Sequence, residues 1–261
     1  MNTRVVGRRL VRREIVSSTM EEAALLADAG APEGTVVVAE YQEAGIGRSG
    51  RSWQAPNGTS LLLSVVLHPP VQGEGLGTLP LAAGVAVAEA IEEVIGATQP
   101  VRLKWPNDLW IGDRKVGGIL LRVRAMPGEV TRAILGVGVN VNVHPEDLPP
   151  GATSLAAVTG SAQDRDVLLH AALDRLDAVY GAWLTDGGTL ALAAWRERAA
   201  LIGEAVVIEV ANRRRPGVLR GIDDRGALLL EVNGSVERIV SGDLVRGPRR
   251  FPGGLPPHQE D

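Results

Sequence analysis

Two short, largely apolar runs, TVVVAE (35–40) and SLLLSVVL (60–67), predict buried strands. Between 78 and 95 the texture changes: Leu81, Val85, Ala88, Ile91 and Val94/Ile95 recur at helical spacing and predict a long helix. Ahead of the first run, TMEE (19–22) has the form of a capping box, with Thr19 as the cap and Glu22 returning the bond. A helix is expected from there to about Ala29, stopped by Gly30. Further strands are expected at about 101–105, 115–124 and 130–138, and further helices at 165–184 and 189–200. A glycine- and arginine-rich loop at 43–52 and an exposed loop, PPVQGEGLG (69–77), separate the early elements. The short connections predict mainly antiparallel pairing with helices on one side, which is an α+β fold.

The texture shifts again near Leu201-Ile202-Gly203. From 204 to 246 the chain reads EAVVIEV, PGVLRGI, ALLLEV, SVERIV and DLV, separated by turns such as DDRG and NG. Short strands at this spacing predict a small β-barrel of the SH3 type. The expected organisation is therefore a large domain over 1–202, a small one over 203–247, and a disordered tail over 248–261 ending FPGGLPPHQED.

Composition narrows the function. A chain of 261 residues with 45% hydrophobic and 22% charged residues can bury a sizeable core. The net charge of −4 gives no general pull toward nucleic acid or an acidic membrane, so any anion site must be locally basic. Without cysteine there are no disulfides, thiolate metal sites or cysteine nucleophiles, which fits a cytoplasmic protein. The basic N-terminus MNTRVVGRRLVRREIV lacks the apolar stretch of a signal peptide, and no run is long enough to span a bilayer. His68, His144, His170 and His258 are scattered without ligand-like spacing, so no metal site is expected by direct motif.

The chemistry concentrates in VRLKWPNDLWIGDRKVGGILL (101–121). Lys104 and Lys115 sit in strand-like apolar runs flanking a turn with Asn107, Asp108 and Asp113, and the pair Gly117-Gly118 follows. An ammonium in a core-facing strand is costly unless an anion meets it, so the segment suggests a phosphate or carboxylate pocket. The loop AGIGRSGRSW (44–53) adds Arg48 and Arg51 among glycines whose amides can approach an anion, although a solvated loop fits it too. In ILGVGVNVNVH (134–144), Gly136 and Gly138 share one strand face and Asn140 and Asn142 point together, as beside a ligand or on a water-facing edge. Gln42 reads equally as a rim residue, and Trp53, Trp105 and Trp110 as packing or as stacking surfaces for a flat ring.

In order, SST, AEYQxAGxGRxGRxW, KWPND, KVGGIL and GVGVNVN closely resemble the biotin–protein ligases over about residues 15–145, and RGIDDRGALLLE resembles the family's small C-terminal domain. The resemblance implies a class II synthetase-like catalytic domain. It also implies a two-step reaction: biotin and Mg-ATP give biotinyl-5′-adenylate and pyrophosphate, and biotin then passes to a lysine of a biotin carboxyl carrier domain. On the same resemblance, Ser18, Thr19 and Gln42 would bond the ureido ring, and the backbone at Gly117 and Gly118 would line the valeryl chain. Arg48 would order its loop, including Ile46 and Gly47, over the adenylate. Lys115 would meet the biotin carboxylate or α-phosphate, Lys104 the nucleotide, Trp53 would cover the ligand, and Asn140 would contact the nucleotide or its Mg2+. Asp108 is the candidate for orienting the incoming lysine.

Ile46 stands where the family often has arginine, and Met20 where it often has asparagine. About 16 residues precede SST, too few for a winged helix-turn-helix, so a monofunctional ligase without operator binding is expected, as a monomer or weak homodimer. A lipoate–protein ligase of the same fold and a non-catalytic biotin or adenylate sensor are the alternatives. KWPND and GRxGR favour biotin over lipoate, and the intact Lys104, Lys115 and Arg48 favour catalysis.

Overall fold

All eight residues of Ser60–Leu67 are buried, because the strand they form is covered on both faces. It is the third strand of a seven-stranded sheet: β1 (Arg9–Val16), β2 (Thr35–Gln42), β3 (Ser60–Leu67), β4 (Val101–Lys104), β5 (Asp108–Ile111), β6 (Arg114–Arg124) and β7 (Arg132–Asn140). Their order across the sheet is β1-β2-β3-β7-β6-β5-β4. β1 and β2 run parallel, and every other neighbouring pair is antiparallel. This computed structural model describes residues 4–70, 73–96, 99–124, 132–210 and 213–246.

Among the described residues five helices accompany the sheet: α1 (Thr19–Asp28), α2 (Leu79–Ile95), α3 (Leu155–Thr159), α4 (Arg165–Asp186) and α5 (Thr189–Arg198). They do not lie on one side as expected. α1 packs Met20, Ala23 and Ala27 against Val37, Val66 and Ile134, whereas Val36, Val38, Val65 and Leu67 point into the core with α2 and α4. Successive strand residues face opposite ways, so the two clusters lie on opposite faces of the sheet. α2 is buried nearly all round because it lies between the sheet and α4, and Gly96 ends it at a φ of 77°. Asp164 starts α4 by accepting from the backbone N–H groups of Asp166 and Val167.

The second sheet holds β8 (Ala205–Val210), β9 (Arg213–Ile222), β10 (Leu228–Val232), β11 (Ser235–Ile239) and β12 (Asp243–Arg246), antiparallel throughout in the order β11-β10-β9-β8-β12. This is the small SH3-type β-domain. Its NG hairpin places Asn233 and Gly234 at positive φ, as a tight primed turn requires. The two sheets meet where Trp105, 2% exposed, donates its indole N–H to the carbonyl of Gly226 at 3.0 Å. Trp105 is thus a joint of the core and not a stacking surface for a ligand.

Several local expectations change. Ser18, not Thr19, caps α1: its Oγ accepts from Met20 N at 3.3 Å, and Thr19 is the first helical residue. Either hydroxyl could cap, and Thr19 is drawn instead into a bond with Gln42. The Glu22 carboxylate pairs with Arg13 at 2.8 Å. β1 is an additional strand, hidden in the sequence by its four arginine and glutamate positions on an exposed edge. β5 occupies the middle of the expected turn between the two lysines, and α3 is also additional. Gly73–Thr78 of the expected exposed loop forms a 3₁₀ turn with Leu76 buried. The expected tail, 248–261, lies outside the described residues.

The turn carrying Gly226 is seated tightly: φ is 79°, and a Cβ there would lie 2.7 Å from Leu81 Cδ1. Gly226→Ala should therefore cost about 1–3 kcal/mol of stability, read as a lowered urea midpoint. An unchanged midpoint would show that the turn is not fixed on α2.

Candidate active site

On the α1 face of the large sheet lies a cavity of about 450 Å³, with β12 of the small sheet along one side. One end is polar and tightly ordered. Thr19 donates both its backbone N–H and its Oγ1–H to Gln42 Oε1, at 2.8 and 3.0 Å, and Ser64 Oγ donates to Thr19 Oγ1 at 2.9 Å. These bonds orient the Gln42 amide and turn its Nε2 toward Gly45, where a Cβ would lie only 2.8 Å away. Ser18, Thr19 and Gln42 all line the cavity. Ser64, fully buried in β3, supports them from behind. Its only trace in the sequence is one hydroxyl within an apolar run.

The floor is apolar. Gly136 and Gly138 share the cavity face of β7, but they make room for side chains before any ligand. A Cβ on Gly136 would lie 2.9 Å from the Met20 sulfur, and one on Gly138 would lie 2.8 Å from the Trp53 ring. The loop that carries Trp53 is bonded to itself: Gly47 N to Arg51 O at 2.7 Å, Trp53 N to Gly45 O at 2.8 Å, and a bridge between Ile46 and Ser52.

The opposite end is charged. Lys104 Nζ lies 3.5 Å from one Asp108 oxygen, and Lys115 Nζ lies 2.6 Å from the other. These lysines do not face the core. Val101 and Leu103 point there from β4, and Leu109 and Ile111 from β5, leaving Lys104, Asp108 and Trp110 on the cavity side. Lys115 and Gly118 would point to opposite faces of a regular strand. A bulge resolves this: Leu109 pairs with Gly117 but Trp110 pairs with Lys115, so Val116 is the extra residue and both Lys115 and Gly118 reach the cavity. Lys104 also lies 5.1 Å over the Trp110 ring, and Lys115 lies 5.7 Å over that of Trp53.

Arg48 and Arg51 complete the cationic end, and both are tied to the small sheet. Arg48 donates to Gly242 O at 3.2 Å and lies 3.4 Å from Asp243, and Arg51 lies 2.8 Å from the same carboxylate. Burial pushes the Arg48 guanidinium below its ordinary pKa, Asp243 opposes this, and neighbouring Arg51 adds to the lowering. Burial likewise lowers Lys104; Asp108 holds it up, and Lys115 presses it further down. Asp243 has no local signal in the sequence, since it reaches Arg48 across 195 residues.

Two expected residues fall outside the cavity wall. Gly117 faces the core, where a Cβ would lie 2.8 Å from Gly138 O. Asn140 is buried with its amide donating to Thr153 O at 3.1 Å, and Asn142, beyond the end of β7, bonds to Gln163 instead of sharing a face with it. Asn140 thus does not line the cavity. Among the described residues no group of three or more His, Asp or Glu could hold a metal ion, and no helix is long and apolar enough to cross a membrane.

Residues 13–140 match the model of the biotin/lipoate A/B protein ligase family, and residues 201–247 match the biotin protein ligase C-terminal domain. The chain belongs to the biotin protein ligase family. It is 37% identical over 251 residues to the bifunctional ligase/repressor BirA of Bacillus subtilis, covering 95% of this chain and 77% of that one. It is 39% identical over 219 residues to the biotin–[acetyl-CoA-carboxylase] ligase of Mycobacterium tuberculosis, covering 82% and 79%. Its structure is similar to that of the Aquifex aeolicus biotin protein ligase in complex with biotin and ATP, with a TM-score of 0.80, 30% identity, and coverage of 92% and 100%.

Asp108→Asn removes the carboxylate shared by the two lysines, so the pKa of Lys104 should fall further. An NMR pH titration with ¹³C-labelled lysine reads this directly. A Lys104 titration unmoved by the substitution would mean that Asp108 does not hold its charge.

Proposed function

We propose that this ligase activates biotin with Mg-ATP and transfers it to a lysine of the biotin carboxyl carrier domain of an acyl-CoA carboxylase. The carrying observation is a single cavity that joins a polar, fixed-amide end to an end with four cationic side chains across an apolar floor. Biotin has the matching order of groups: a ureido ring, an aliphatic chain and a carboxylate. In this reading Ser18, Thr19 and Gln42 bond the ureido group, and Met20, Trp53 and Gly138 line the slot for the rings and chain. A pocket of few oriented polar groups in apolar walls is the usual form of such a site. The names of the Mycobacterium tuberculosis and Paracoccus denitrificans relatives support a carboxylase as the acceptor.

The carboxylate end would lie beside Lys115. A carboxylate oxygen attacks the α-phosphorus, the bond to the bridging oxygen breaks, and pyrophosphate leaves with that electron pair. Two anions must approach for this, and Lys115, Lys104 and Arg48 offset their repulsion. Magnesium arrives with the nucleotide as part of the substrate. In the second step the neutral acceptor amine attacks the acyl carbon, AMP leaves, and the amine nitrogen loses a proton. Asp108 holds Lys104 and Lys115 first; the longer contact, to Lys104, is where an acceptor amine could share it. Residues 1–202 would form the catalytic domain and 203–247 the domain that supplies Asp243.

Mass spectrometry of a carrier domain after incubation with biotin and Mg-ATP should show one biotinyl addition at lysine. An unmodified acceptor with biotin, or addition of lipoate in its place, would overturn the assignment. Lys115→Ala should slow biotin-dependent pyrophosphate release by about 100-fold or more. Because Lys115 is about a third exposed, its thermal midpoint should move little; collapse of the fold would make the residue structural instead. Arg48→Gly unclips the loop from Gly242 and Asp243, so it should still form the adenylate but release it and modify bystander lysines. Tight retention of the adenylate in that variant would refute the role.

A further inference from the structure

The two ammoniums of the cationic end share one carboxylate unequally. Lys115 takes the close contact at 2.6 Å, and Lys104 is left 3.5 Å from the other oxygen, beyond a good charge-assisted hydrogen bond. Yet Lys104 is the more enclosed of the two, with 14% of its side chain exposed against 36%. Its ammonium also lies over the face of Trp110, 5.1 Å from the ring centroid and within cation–π range. Trp110 is the cross-strand partner of Lys115 and the β5 neighbour of Asp108 on the same face, so the register holds its ring at this junction.

We propose that Trp110 is a positioning residue for Lys104 in biotin activation, holding the ammonium against its indole face where the nucleotide phosphate arrives. This rests on the reading of Lys104 as a phosphate-facing cation. The choice of an aromatic ring has an electrostatic reason. The cavity wall carries four cationic side chains and three carboxylates, so one more carboxylate would bring it to neutrality and repel the incoming phosphates. An indole attracts an ammonium through its quadrupole and adds no negative charge. It also favours the charged form of a lysine that burial otherwise pushes toward neutrality. Trp110 packs partly on the core as well, so its effect on Lys104 must be separated from its effect on folding.

Steady-state pyrophosphate release by Trp110→Leu, Trp110→Phe and Lys104→Ala, singly and with Trp110→Leu combined with Lys104→Ala, makes that separation. Trp110→Leu should raise KM for Mg-ATP and lower kcat/KM for Mg-ATP by about ten-fold, with biotin affinity unchanged and Trp110→Phe within about three-fold of the parent. In the Lys104→Ala background, Trp110→Leu should add nothing. Should Trp110→Leu fail to fold, mono-, di- and trifluorotryptophan at 110 drain the ring without changing its shape, and KM for Mg-ATP should rise stepwise. Parent-like kinetics for Trp110→Leu, a flat fluorination series, or an equal Trp110→Leu penalty with and without Lys104 would overturn the inference. Parent-like kinetics for Lys104→Ala would overturn the reading of Lys104 beneath it.

Discussion

Like charge crowded into one end of a cavity is the constraint around which the rest is arranged. Lys104, Lys115, Arg48 and Arg51 all reach it, and Asp108 and Asp243 each bind two of them. At 3.5 Å the Lys104–Asp108 attraction is roughly 5 kcal/mol for an effective dielectric near 20, and the desolvation cost of enclosing such groups is of the same order. The pair therefore contributes little net stability. Its effect is to hold the cations in place at one end of the cavity.

Holding those groups on one side of the sheet depends on strand register. β4 and β5 present alternate residues to the core and the cavity, and the bulge at Val116 allows β6 to present both Lys115 and Gly118. With regular pairing, one of the two would turn to the core face. The glycines of β7 serve the same economy of space: absent Cβ atoms at 136 and 138 let Met20 and Trp53 lie flat as the floor. The polar end is rigid for a different reason, the linear chain of bonds from Ser64 through Thr19 to Gln42.

The small sheet is part of this site and not an appendage. Its turn at 223–226 is locked to α2 and to Trp105, which directly follows Lys104 in the chain. The start of its strand β12 holds the arginine loop through Asp243 and, just before it, Gly242. One contact thus steadies the strand carrying Lys104 and the other steadies the loop bearing Arg48, so the two cationic walls are positioned by a common element.

Much of this was readable in the residues themselves. Short apolar runs marked β2 and β3, helical spacing marked α2, and turn dipeptides marked the small sheet, because each signal is local and set by backbone preference or burial. The improbable lysines around Asp108 pointed to a cationic pocket, and the motif order marked the family. The sequence alone left open which way each lysine points, because a single bulge reverses the parity of everything beyond it. β1 stayed hidden since its pairing, not its apolar content, makes it a strand. A Cβ at Gly117 would point to the core and Asn140 bonds to Thr153, so neither residue lines the cavity, which no local signal foretold. Ser64 and Asp243 gained their parts only when chain segments 45 and 192 residues away folded against them. Local sequence determines which residues can bear charge or cap a helix; only long-range pairing decides which of them share a cavity.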